Sequence, residues 1–129
     1  MLQTTALYAS VLAIMFFVMS LMVIGRRRDA GVGLCDGGDE PLVRAIRGHA
    51  NFAEYVPIVL ILMAILEFNG IADYRLHGVG LLLLVGRMAH GWCFLFTGSQ
   101  PLARTGGMIL TLTSLITAAI GCLWLALSG

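Results

Sequence analysis

The stretch RAIRGHANFAEYVP, residues 44–57, gathers Arg44, Arg47, His49, Asn51, Glu54 and Tyr55 immediately before the apolar run IVLILMAIL. On a helix, Arg47, Asn51 and Glu54 stand at i, i+4 and i+7, a single stripe that enters a membrane segment. A centrally placed Arg or Glu there costs on the order of 2.5–3.5 kcal/mol even on the lenient insertion scale, so each is a functional candidate. Further along, Arg87, His90 and Phe94 share a face at i, i+3 and i+7, and Arg104–Thr105 open the last apolar segment. Several arginines with one carboxylate suit a small polyanion that also carries an ammonium group: the guanidinium forks clamp carboxylates and Glu54 takes the amine. Such a ligand could also present a thiol. A free thiol of pKa about 8.5 is only about 3% ionised at neutral pH, and lowering that value by two units needs about 2.7 kcal/mol of preferential thiolate stabilisation. One aimed Arg donor with a hydroxyl beside it is of that order, since charged hydrogen bonds contribute roughly 1.5–3 kcal/mol.

The elements that must position these groups are membrane helices. The chain has 129 residues, 59% hydrophobic and 12% charged, with mean hydropathy +0.92. That charged fraction is about half of what a soluble domain carries. We expect an all-α fold, a single four-span membrane domain with spans near residues 4–25, 41–67, 76–97 and 104–127. The first span ends on Arg26-Arg27-Arg28, after its apolar core, which is the reverse of a signal peptide and predicts a retained helix. A glycine-rich acidic loop, residues 29–40, follows. Asp39 is placed to cap the second helix, with Pro41 in its first turn, and Pro57 should bend that helix below Glu54. In the last span, Thr113, Thr117 and Gly121, with Ser114, Ala118 and Cys122 beside them, form rows of small residues that let helices approach closely.

All eight basic residues are arginines. Six of them (26, 27, 28, 44, 47 and 104) fall at one end of the expected bundle, against Arg75 alone at the other. By the positive-inside rule both termini face away from the cytoplasm. A net charge of +1 is no nucleic-acid footprint. The three cysteines, Cys35, Cys93 and Cys122, have no CxxC spacing, and no zinc, phosphate-loop or nucleophile-elbow motif occurs. A metal site is not expected, because no helical pair of histidines at i, i+4 exists.

Arg47-xxx-Asn51-xx-Glu54-Tyr55-x-Pro57 on a second membrane helix, then Arg87-xx-His90-xxx-Phe94 on the third, resembles the membrane-associated proteins in eicosanoid and glutathione metabolism, the MAPEG family. Span order, loop lengths and chain size agree over nearly the whole sequence. The resemblance implies a bacterial inner-membrane member, a homotrimeric four-helix bundle with glutathione as co-substrate at each subunit interface. Carried over by position, Arg26, Arg47, Asn51, Glu54, Tyr55, Arg87 and His90 would hold glutathione. Arg104 and Thr105 would face its sulfur. Phe94 and Met108 stand where the family's prostaglandin synthases carry tyrosines, so the resemblance speaks for the glutathione clamp more than for eicosanoid substrates.

The implied function is a membrane glutathione transferase or peroxidase whose lipophilic electrophile enters from the surrounding lipid. The alternative is a non-catalytic lipid-binding protein, or a small exporter using Glu54. Arg neighbours at the depth of Glu54 speak against cation export. Blander roles stand beside the site roles: Glu54 and Arg87 as a buried ion pair, Arg44 and the Arg triplet as headgroup anchors, His49 as a structural hydrogen-bonding residue.

Overall fold

The computed structural model describes residues 2–95 and 100–128, with the side chains of Phe94 and Leu95 outside that description. Four helices follow one another: α1 (Gln3–Asp29), α2 (Glu40–Phe68), α3 (Asp73–Leu95) and α4 (Pro101–Ser128). At 1.5 Å per residue each reaches roughly 35–43 Å, enough to cross a hydrocarbon core of about 30 Å. By length and composition α1, α2 and α4 each qualify as membrane-crossing helices. The arginine-bearing α3 does not meet that criterion, and it is held against all three of the others. Among the described residues α1 and α4 do not touch, so α2 and α3 form the central pair with the other two flanking them.

Helix ends follow local chemistry. Asp39 accepts a hydrogen bond from the Leu42 N–H at 2.8 Å, the cap that its place ahead of Pro41 predicts. α2 runs unbroken through Pro57. α1 passes through the arginine triplet to Asp29, with three cations against its carbonyl-rich end. Its N-terminus has no side-chain cap from its own segment. The carboxylate of Glu67, one residue before the end of α2, supplies it by accepting from the N–H groups of Thr4 and Thr5 at 2.8 and 2.7 Å. At the same end the Tyr8 hydroxyl meets His77 Nδ1 at 3.1 Å, tying α1 to α3. Glu67→Ala therefore leaves two N–H donors unsatisfied and removes a charge that complements the helix dipole, at a cost of about 2 kcal/mol. The check is hydrogen exchange in detergent: amide protection falls at Thr4 and Thr5 while that of α4 is unchanged.

Helices in lipid gain little from burying apolar surface against one another, so close packing and hydrogen bonds between them decide the geometry. Large apolar side chains such as Ile14, Phe17, Ile61 and Ile116 face outward, as a lipid-facing surface requires. Inside, α3 and α4 meet backbone to backbone at Gly86 and Gly107: a Cβ on Gly107 would lie 2.7 Å from the Gly86 carbonyl oxygen. Beyond that crossing Thr111, Ser114 and Ala118 are buried, and the Ser114 hydroxyl donates to the Val79 carbonyl at 2.9 Å. The neighbouring Thr113 and Thr117 are exposed. The small-residue row that packs is thus Gly107, Thr111, Ser114 and Ala118, rotated from the row through Thr113 and Thr117.

Candidate functional site

The bundle holds one arginine in its interior. Arg87, on the face of α3 that looks into the bundle, is 1% exposed. Its Nη1 donates to the Asn51 side-chain oxygen at 2.9 Å and to the Asn51 carbonyl at 3.3 Å. Among the described residues its Nε and Nη2 have no acceptor, and no carboxylate lies within ion-pair distance. A charge taken out of water loses several kcal/mol of solvation even after relaxation, and a single neutral amide does not replace that. The guanidinium therefore sits at the inner wall of α2, held through Nη1, with its Nε and Nη2 donors directed toward no acceptor among the described residues.

One turn further along α3, the buried His90 approaches the backbone carbonyl of Arg104 through Nδ1 at 3.2 Å. A carbonyl only accepts, so this contact assigns the proton to Nδ1. It fixes the first turn of α4 beside Arg87's turn of α3, and the Gly86–Gly107 crossing makes the approach close enough. The side chains of Arg104 and Thr105 are exposed at that turn, and Met108 is half-buried. Phe94, the third member of the expected α3 face, has its side chain outside the described residues.

On α2 the expected stripe divides. Arg47 and Glu54 are exposed, while Asn51 and Tyr55 are half-buried. The buried row of α2 runs through Gly48, Phe52, Val56 and Val59. At 100° per residue, Asn51 is turned from Arg47 by about 40° toward that row, whereas Glu54 is turned about 20° away from it. Asn51 thus reaches inward to Arg87, and Arg47 and Glu54 look out of the chain. Among the described residues Glu54 makes no ion pair with Arg87 or any other arginine; the pair present is Arg44–Glu40 at 3.7 Å, between solvent-facing side chains. A pair of that kind adds little stability.

The remaining candidates separate by use. Arg27 is taken by the loop, donating to the carbonyls of Cys35 at 2.7 Å and Gly33 at 3.5 Å. Arg26 and Arg28 remain exposed at the end of α1. His49 is committed to α1: its Nε2 lies 2.9 Å from the Ser20 hydroxyl and its ring stacks on Phe16 at 4.4 Å. Within a single chain, Asn51, Arg87 and His90 with the Arg104 backbone form a connected interior cluster. Arg47, Glu54 and Arg26 stand on surfaces. The Asn51–Arg87 bond is a contact that sequence reasoning did not single out, and the helical offset of Asn51 toward the buried row is the signal that carries it.

These features define an integral membrane four-helix bundle with a buried arginine in its polar end. The chain belongs to the MAPEG family, whose profile matches residues 5–124. It is 36% identical over 125 residues to the inner membrane protein YecN of Escherichia coli strain K12, an alignment covering 95% of this chain and 92% of that protein. The same figures hold for the inner membrane protein YecN of Escherichia coli O6:H1 strain CFT073.

Proposed function

We propose that this chain is a membrane glutathione transferase or peroxidase that acts on a lipophilic electrophile. The single observation that carries the reading is Arg87, a buried guanidinium with two donors unused within the described chain. A small ligand with carboxylates answers that need, and Asn51 holds the guanidinium in place to receive one. The tripeptide also carries an ammonium group, for which Glu54 is the acidic residue on the adjoining face of α2. The family includes glutathione transferases and peroxidases.

Arg47 and Glu54 look outward at a depth where lipid is a poor neighbour for charge. This favours a second copy of the chain covering that face, with the ligand between copies in a homotrimer and Arg26 and Tyr55 completing its surroundings. Arg104 and Thr105, at the exposed first turn of α4, are the groups we assign to the sulfur. The guanidinium and the hydroxyl donate to the thiolate; the sulfur then attacks an electrophilic carbon, a C–S bond forms, and the leaving group departs with the displaced electron pair. Arg104→Ala keeps glutathione affinity and lowers the conjugation rate with a model electrophile by more than about tenfold, because the thiolate fraction falls. Unchanged conjugation by that variant removes Arg104 from the chemistry.

The concentration of arginines at one end of the bundle further supports placing that end, with its loop, on the cytoplasmic side. Cys35 is exposed in the loop and reports on this directly. A membrane-impermeant maleimide is expected to label it in inverted vesicles and not in intact spheroplasts; the opposite pattern inverts the topology.

A further inference from the structure

At the end of the bundle opposite the arginine cluster, a groove of about 550 Å³ opens between α3 and α4, with the end of α2 as its floor. Its walls are apolar, formed by side chains such as Leu76, Val79, Leu82 and Ile120. Its rim carries Arg75 from the first turn of α3 and Trp124 from the last turns of α4. The volume is within the range of small-ligand sites, about 300–1,000 Å³. Arg75 is exposed, and the described residues offer it no carboxylate; its Nε donates to the Tyr74 hydroxyl at 3.0 Å and its guanidinium lies 5.6 Å from that ring's centre. Trp124 is 60% exposed, at the level where an indole marks the boundary between acyl chains and headgroups. The grooves between α1 and α3 and on the α2–α4 face, by contrast, are lined without a charged side chain.

We propose that this groove is a binding site for an anionic phospholipid, one acyl chain lying along α3 and α4 and the headgroup phosphate on Arg75. In a bilayer or a micelle an acyl chain is held in such a groove by close packing and not by escape from water, so selectivity falls on the headgroup. The cation at the rim adds a preference for negative headgroups of roughly fivefold. Gly78 supplies a clean probe, because it lines the groove and an added Cβ there meets nothing within 4 Å. A Gly78→Leu side chain is therefore expected to enter the groove with its Cβ unobstructed.

The experiment is native mass spectrometry of the detergent-solubilised protein titrated with phosphatidylglycerol and, separately, phosphatidylcholine of the same acyl composition. The wild type is expected to retain phosphatidylglycerol roughly fivefold better. Arg75→Gln retains both lipids equally, and Gly78→Leu retains neither, with its melting temperature unchanged. Wild-type retention of both lipids by Gly78→Leu, or a headgroup preference that survives Arg75→Gln, overturns the proposal. So does displacement of phosphatidylglycerol by equimolar oleate, which would assign the groove to free fatty acids. Disulfide cross-linking between chains of a Gly78→Cys variant likewise overturns it, by making this face an interface between copies.

Discussion

Replacing Arg87 with methionine is expected to abolish glutathione binding, by at least about a hundredfold, while leaving the fold as stable as before or more so. The two effects separate because they have different origins. Two charged hydrogen bonds to a ligand contribute roughly 1.5–3 kcal/mol each, and every 1.4 kcal/mol is tenfold in affinity. Stability, by contrast, gains from removing a cation that is 1% exposed and is met within the described chain by one side-chain amide and its own backbone carbonyl. Well-packed apolar replacements of buried charges are often neutral or stabilising. The reverse substitution behaves oppositely: Asn51→Leu takes away the side-chain partner of a buried guanidinium and should cost about 3 kcal/mol or more. Thermal melting and equilibrium binding on the same detergent-solubilised samples check both. A loss of stability in Arg87→Met together with normal binding would make Arg87 a structural residue.

The second large effect lies at the α3–α4 crossing. A side chain at Gly107 would place its Cβ 2.7 Å from the Gly86 carbonyl oxygen and 2.8 Å from the His90 nitrogen, and both are backbone atoms that cannot rotate aside. Gly107→Val must therefore push the helices apart, which opens the His90–Arg104 contact and draws the buried Ser114 hydroxyl away from the Val79 carbonyl. Overpacking of this kind costs typically 1–3 kcal/mol, and losing the two contacts brings the total above that range. The expected outcome is a large drop in melting temperature, or failure to accumulate in the membrane. Gly106→Val serves as the control, since a Cβ at Gly106 meets nothing within 4 Å.

Much of this architecture was legible in the sequence, for reasons that differ from residue to residue. The spans follow from apolar runs that no soluble core would need, and the Asp39 cap from an acceptor placed just ahead of Pro41. The candidate polar residues were visible because charge at membrane depth is costly wherever the chain folds. Which way each one faces was only half legible. The i, i+4, i+7 spacing puts Arg47, Asn51 and Glu54 on one stripe, yet a stripe about 60° wide straddles the edge between the interior and the outside of the chain. Asn51 consequently falls on one side of that edge and its two neighbours on the other.

Two features had no local signal. Glu67 reads as the acidic end of a long helix, and its role appears only when the start of α1, more than sixty residues away in sequence, is brought beneath it. Gly107 heads the small-residue row that continues through Thr111, Ser114 and Ala118, but nothing within α4 marks Gly86 as its partner, so their meeting is a property of the pair of helices. The small-residue rows of α4 were recognised as packing surfaces, but the bundle buries Ser114 and Ala118 and leaves Thr113 and Thr117 outside. The choice between adjacent rows depends on which partner helix arrives, and this is tertiary information.

The measurement that bears most directly on the account is a calorimetric titration of reduced glutathione into the solubilised wild-type protein, read in parallel by the ultraviolet difference signal of the thiolate. Saturable binding at one site per chain is expected, accompanied by a thiolate signal at neutral pH. Absence of saturable binding would contradict it, and would leave the buried guanidinium of α3 without the ligand proposed for it.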